Sequence, residues 1–404
     1  MRKQKCILTY ARSWIALAAT RCLGKHGIYV ITGDTERGAA ANFSRYSKEH
    51  FVYPDPAADP DGFVDRLVDI AKSHTDVDTD LVLMPMYTEI YPVLCRQDRF
   101  EGLVKMVLPP KEAYELVRNK AELAAHCNKF GIRIPSTVVS GNADEFYSGA
   151  RNMEYPAFVK VPAGSGSLGI RKAACYDEAV KTFDEMVLRY KITDPRQFPI
   201  LQACAGGTDH CSAFLFDHGE FRAAMTYRNV VDFPKGKGVG ALRETVDAHA
   251  LEKIGRKLLE HLGWNGVCQI DFRWDGAGEP WLIEINPRFW GGLAQSIASG
   301  WVFPVWMYDL ALKGRIELPH PEKSDVRTIN PVLMASRMAQ DLFAGRGKDI
   351  AGLIKEQRGA VNEFFSWKDP LPVLGLAYPL MVYLKHGKIT PELLIGEKGM
   401  HRNE

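Results

Sequence analysis

"WLIEINPRFWGG", residues 281–292, closes an apolar run with polar side chains at alternate positions, Glu284, Asn286 and Arg288, and then a glycine pair. In a β-strand, residues i, i+2 and i+4 point to one face. The spacing therefore projects an acid, an amide and a cation together and sends Ile283 and Ile285 the other way. A half-exposed strand with a solvent-facing polar side would show the same alternation. The rest of the chain has to decide between the two.

Working outward, "VCQIDFRW" (267–274) reads as a partner strand, joined by the turn-forming "DGAGE". It brings Asp271 up beside Glu284 and Asn286. Two carboxylates and an amide are hard oxygen donors of the kind magnesium takes together with phosphate oxygens. Upstream, "YPAFVKV" (155–161) is a strand near whose end stands Lys160. That lysine is either a snorkelling edge residue or a buried phosphate partner. The "AGSGSLG" that follows (163–169) offers small residues, among them Ser165, Gly166 and Ser167, whose N–H groups can approach phosphate closely. It lacks the Lys-Ser/Thr that completes a Walker loop.

The first hundred residues alternate short apolar strands with amphipathic helices. "KCILTY" and "IYVITGD" flank a helix, and "TDLVLMPMY" follows another. This is the pattern of a parallel α/β sheet, and no GxGxxG follows its first strand, so the usual dinucleotide fingerprint is missing. "SAFLFDHGEFRAAMTYR" predicts a hairpin turning at His218–Gly219, and "AHALEKIGRKLLEHLGW" a helix. Arg12, at the first strand–helix junction, is read as a surface residue before a contributor to the substrate pocket from the N-terminal domain. Arg243, in "KGKGVGALRETV", is read either as an exposed loop arginine or as a substrate contact.

Composition bounds the rest. The chain has 404 residues, a net charge of +2 and 46% hydrophobic residues, enough for two or three domains. Near-neutral charge argues against a nucleic-acid or membrane surface. No apolar run reaches the roughly eighteen residues of a transmembrane helix, and the N-terminus lacks the apolar centre of a signal peptide. Eight scattered cysteines without zinc spacing suit reduced thiols in the cytoplasm. The proline-broken apolar stretch at 370–384 is expected to pack on the body of the protein or across a dimer rather than dip into a membrane surface.

Together these segments resemble the ATP-grasp enzymes, over roughly residues 109–315 with a matching preceding domain. The resemblance implies an α/β protein. It would have a Rossmann-like pre-ATP-grasp domain at 1–108, an ATP-grasp domain at 109–315 (subdomains 109–185 and 186–315), and a C-terminal extension at 316–404. Lys120 in "RNKAELAAHCNKFGIRIP" and Lys160 are similar to the family's two phosphate-binding lysines. "ILQACAGGTD" resembles its adenine-reading segment, with Gln202, Ala203 and Cys204 against the base and Asp209 in the place of the ribose acid. Many members carry a glutamate where Gln202 and Ala203 stand. Ile283 joins the nucleotide residues, Asp271, Glu284 and Asn286 the metal ligands, and Arg288 the position that steadies an acyl phosphate.

"INPRFWGG", "SRYSKEHFVYPDP" and "SWKDPLPVLG" resemble carboligases of this superfamily. The implied activity is ATP-dependent joining of a small-molecule carboxylate to an amine with Mg2+, or Mn2+ in its stead, in a cytoplasmic protein that could form a homodimer. Bicarbonate activation and a catalytically silent ATP-binding regulator are the alternatives. Arg243 is grouped with Arg288 as a catalytic candidate.

Overall fold

The computed structural model describes residues 2–163, 169–236, 238–316 and 325–376. The N-terminal strands β1 (Lys3–Leu8), β2 (Tyr29–Asp34), β3 (Ser47–Val52) and β4 (Thr79–Met84) form one sheet in the order β3-β2-β1-β4. Every pairing in it is parallel. The chain winds one way from β1 to β3 and then crosses to the other side for β4. The loops after β1 and β4 therefore part at the ends of neighbouring strands, which is where open α/β sheets bind ligands. The alternation of strand and helix made this sheet legible. β3, "SKEHFV", was not, because at its edge position most of its side chains face solvent.

A small antiparallel sheet follows, built from β5 (Thr137–Val138), β6 (Ala157–Lys160), β7 (Ile170–Ala173) and β8 (Ile200–Ala203) in the order β5-β8-β6-β7. The segment joining β6 to β7 carries Ser165, Gly166 and Ser167, and residues 164–168 lie outside the described residues.

The largest sheet has seven strands in the order β13-β12-β9-β10-β11-β14-β15. They are β9 (Thr208–Asp217), β10 (Glu220–Phe233), β11 (Val239–Val246), β12 (Gly266–Trp274), β13 (Trp281–Asn286), β14 (Arg327–Ile329) and β15 (Val361–Asn362). The β9–β10 turn has His218 at φ 47° and Gly219 at φ 84°, the left-handed pair that a two-residue hairpin needs. Residues beyond 316 are part of this sheet, since β14 pairs with β11 and β15 pairs with β14.

One core joins the N-terminal sheet to the large one. Leu8, Trp14 and Ile15 are buried in it together with Phe289, Trp290, Phe303 and Trp306. A second tie crosses the chain's length. Arg21, on the helix Trp14–Lys25, donates to the Asp369 carboxylate (2.8 Å), to Asp369 O (2.9 Å) and to Phe364 O (2.7 Å). Ser44 Oγ and the Arg45 N–H donate to the same carboxylate. The "SWKDP" segment is thereby strapped to the N-terminal domain, and the turn Leu371–Leu376 packs on Ala40–Phe43. The rest of the apolar stretch, from 377, lies outside the described residues. Among the described residues no helix is long and apolar enough to cross a membrane.

Candidate active site

The site is assembled at one edge of the large sheet. The β12–β13 register sets Asp271 opposite Glu284 and Gln269 opposite Asn286. Asp271 accepts from Gln269 Nε2 (2.8 Å) and from Asn286 Nδ2 (3.0 Å). Its pKa is raised, first by burial and then by the facing Glu284 carboxylate. Two acids confronted in this way call for a cation between them. Among the described residues no three His, Cys, Asp or Glu side chains gather into a metal site. Two carboxylates and an amide leave the remaining coordination positions to ligand oxygens, so the donor set fits magnesium held jointly with a phosphate.

The strict alternation expected of β13 is broken by a bulge. Asp271 pairs with Glu284 and Phe272 pairs with Leu282, so Ile283 is the extra residue. The inward pair is Leu282 and Ile285, and Ile283 is half-buried beside the site rather than sharing the Ile285 face. The strand ends at Asn286, so Arg288 lies on the turn after it. Arg288 still reaches the site: it donates to Asn286 Oδ1 (3.0 Å) and to Phe289 O (2.9 Å). Its guanidinium lies 4.2 Å from the ring centre of Tyr87, in the loop after β4. Tyr87 in turn stacks on Tyr10 at 4.8 Å.

Both lysines converge on this edge. Asn119 caps the helix Lys120–Lys129, accepting from the N–H groups of Ala121 and Glu122, and so fixes Lys120 at the first helical position. Lys120 Nζ lies 3.4 Å from Glu284 Oε2. Burial raises the Glu284 pKa, but Lys120, Lys160 and Arg288 outweigh it and hold the carboxyl below its ordinary range. Lys160 is 7% exposed and its pKa is pushed down to about 8, chiefly by burial. It is thus the buried lysine of the two readings open in the sequence. It donates to Gln202 Oε1 at 2.6 Å, and Gln202 Nε2 donates to Thr137 Oγ1 at 3.0 Å. The Gln202 side chain therefore orients Lys160.

Ala203, at the end of β8, is held by its N–H to Ser136 O, and Cys204 beside it is exposed. Asp209 sits two residues before Cys211, the β9 partner of Asp271, and pairs with Arg273 at 2.8 Å.

Two arginines behave differently from expectation. Arg12 is half-buried, not superficial: its largely covered side chain is ion-paired with Asp34 at the end of β2 and bonded to Thr35. A guanidinium is stable there because the acid beside it is itself buried. Arg243 is neither on a loop nor exposed. It lies in β11, 1% exposed, with both Glu363 oxygens accepting from its Nη1 at 2.6 and 2.7 Å. Four strand spacings, roughly 19 Å, separate its backbone from that of Glu284. The segment 287–292 crosses part of that gap. A Cβ at Gly292 would meet the Tyr227 hydroxyl at 2.4 Å, and one at Gly291 would lie 3.9 Å from Arg243 Nη2. Gly292 is therefore what lets the chain lie against Tyr227, while position 291 has room for a Cβ beside Arg243. Gln269, Tyr87 and Glu363 escaped the sequence reading, because each acts through a partner distant in the chain.

The family described as "ATP-grasp in the biosynthetic pathway with Ter operon" matches residues 223–332. The D-alanine–D-alanine ligase of Bordetella avium is 28% identical over 153 residues, covering 32% of this chain and 43% of that protein. The chain thus matches less than half the length of this curated relative. The biotin carboxylase domain of Hydrogenobacter thermophilus 2-oxoglutarate carboxylase, solved with MgADP, ADP and bicarbonate, superimposes with a TM-score of 0.62. It has 17% identity, and the match covers 82% of this chain and 74% of that one. An ADP complex of N5-carboxyaminoimidazole ribonucleotide synthetase gives a TM-score of 0.62 at 11% identity, covering 84% and 86%. Two lysines, two acids and an amide thus gather where β12 and β13 pair, in a chain similar to an ATP-grasp family over residues 223–332 and to ATP-binding carboxylases and synthetases in fold.

Proposed function

We propose that this protein is an ATP-dependent ligase. It activates a small-molecule carboxylate as an acyl phosphate and transfers the acyl group to an amine, releasing ADP and phosphate. The observation that carries the reading is the meeting of Lys120 with Glu284, opposite Asp271, beside Arg288. Cations for phosphate, acids for a metal and a guanidinium for a carboxylate occupy one edge. The curated relative, a D-alanine–D-alanine ligase, supports C–N bond formation as the outcome.

Lys160, held by Gln202, and Lys120 neutralise the phosphate oxygens of ATP, with Gln202, Ala203, Cys204, Asp209 and Ile283 around the nucleoside and the 165–167 segment over the phosphates. Asp271, Glu284 and Asn286 would hold Mg2+, or Mn2+ in its place, which when bound supplies positive charge to the same oxygens. Arg288 grips the substrate carboxylate through its planar fork and steadies the acyl phosphate. Catalysis on this reading is mostly positioning and charge neutralisation. The amine proton leaves to phosphate or solvent. A soluble, cytoplasmic homodimer is the form we expect, and sedimentation velocity tests it.

The test is an ADP-release screen over pairs of carboxylates and amines, with mass analysis of the products. Amide formation that requires both partners supports the ligase. Turnover with bicarbonate in place of an organic carboxylate transfers the reading to carboxyphosphate chemistry. Nucleotide binding without turnover across the screen makes the protein a regulator.

A further inference from the structure

Arg118 ends the helix Lys111–Arg118, two residues before Lys120. It is half-buried, and among the described residues no carboxylate or hydrogen-bond acceptor pairs with it. Its guanidinium rests instead on aromatic faces, 4.7 Å from the ring centre of Tyr91 and 5.9 Å from that of Tyr114. The two rings are stacked on each other at 5.7 Å, 14° from parallel. The nearest acid in sequence, Glu115, is occupied: it accepts from the Tyr91 hydroxyl at 2.9 Å.

An arginine resting on a tyrosine pair loses rotamer freedom and keeps N–H donors for something else. The location says what. Tyr91 follows Tyr87 by four residues in the same N-terminal segment, and Tyr87 carries the Arg288 guanidinium. Tyr114 lies within electrostatic range of both arginines. Lys120 meets Glu284 on β13, and the helix Lys111–Arg118 packs on the same strand. What sets Arg118 and Arg288 apart from the lysines is that both rest on tyrosines of the segment after β4, Tyr91 and Tyr87.

The geometry points to a second anion subsite at Arg118: the substrate bears, besides the carboxylate presented to Arg288, a further carboxylate or phosphate that Arg118 binds. This rests on the ligase reading above for the role of Arg288 and goes beyond it in naming the substrate class. The anion makes a charge-assisted fork with the guanidinium, and the tyrosine platform keeps the fork aimed.

Calorimetry on the full chain with Mg-ADP tests it, comparing probes of equal length: succinate against butyrate, and glutarate against valerate. The wild type is expected to bind a dianion at least tenfold more tightly than its monoanion. Arg118→Ala removes that preference, Arg118→Lys restores part of it, and Mg-ATP affinity stays within twofold in both. Three results overturn the proposal. They are equal binding of dianion and monoanion by the wild type, an unchanged preference in Arg118→Ala, and a loss confined to Mg-ATP affinity, which assigns Arg118 to the nucleotide phosphates. Failure of the ligase reading is distinct. Arg118-dependent succinate or glutarate binding with no ADP release from any carboxylate–amine pair would leave the anion subsite standing and remove the ligase.

Discussion

Replacing Gln202 by glutamate puts a carboxylate against the Lys160 ammonium in place of an amide oxygen 2.6 Å away. At an effective dielectric of 20, a full charge pair at that separation is worth about 6 kcal/mol. Burying the new carboxylate takes back several kcal/mol. The net gain of a few kcal/mol should lift the Lys160 pKa from about 8 by roughly one to two units. The same pairing neutralises the charge that the phosphates use. Mg-ATP affinity at pH 7 should therefore fall by about tenfold to a hundredfold, or about 1.4 to 2.7 kcal/mol.

The pH dependence separates this from a packing effect. The wild-type lysine binds phosphate when protonated, so affinity holds below pH 8 and declines as pH rises through it. At pH 9 about a tenth of the lysine is charged, and the loss approaches about tenfold. In Gln202→Glu the decline moves to higher pH although affinity starts lower. Calorimetric titration with Mg-ATP between pH 6.5 and 9.5 reads both quantities. A variant with wild-type affinity and an unmoved alkaline limb would refute the role given to Lys160.

Glu284→Gln should abolish turnover while moving the melting temperature little, because the partly exposed Lys120 contact adds little stability. Steady-state kinetics beside thermal melts checks both halves. Tyr87→Leu removes the face under Arg288 and should lower kcat/KM by about tenfold, while Tyr87→Phe keeps the face and most of the rate. Glu89 is 3% exposed, has one carboxylate oxygen without a partner, and is pushed up by burial to about 7. Between its unfolded value near 4.5 and 7 the folded state binds the extra proton, so stability falls with rising pH across that window. Glu89→Gln should accordingly stabilise the protein by up to about 3 kcal/mol at pH 8 and by little at pH 4.5, as read by urea unfolding at the two pH values. Arg21→Ala leaves Asp369 buried without its cation and should cost about 3–5 kcal/mol, seen as a lower denaturation midpoint.

What the sequence could announce was what acts locally. The hairpin at His218–Gly219, the β12–β13 pair and the alternation of Glu284 with Asn286 depend on neighbours in the chain, and each is visible in residue order. The Ile283 bulge was not, since it shows only when two strands are set side by side. The surface place expected for Arg12 and the exposed-loop reading of Arg243 fail for a related reason. Isolated arginines are mostly exposed, and the acids that let these two be covered, Asp34 and Glu363, stand 22 and 120 positions away. The part of Gln202 has the same character: as a residue beside an adenine segment it suggests a base contact, and only the approach of β6 to β8 turns it toward Lys160.

The Arg21–Asp369 strap has a consequence for synthesis. The two residues are separated by 348 positions. A ribosome adding roughly 5–20 residues per second reaches Asp369 some 17–70 s after Arg21. During that interval the first helix emerges with a cation destined for burial and no counter-charge to receive it. The N-terminal sheet, complete in its strands by residue 84, should remain unlatched until residue 369 has been added. Stalled nascent chains ending at 360 should expose that domain to protease more than chains released with Asp369 in place. The first helix thus waits on the 369th residue: the N-terminal domain is latched only after the strands of all three sheets have been made.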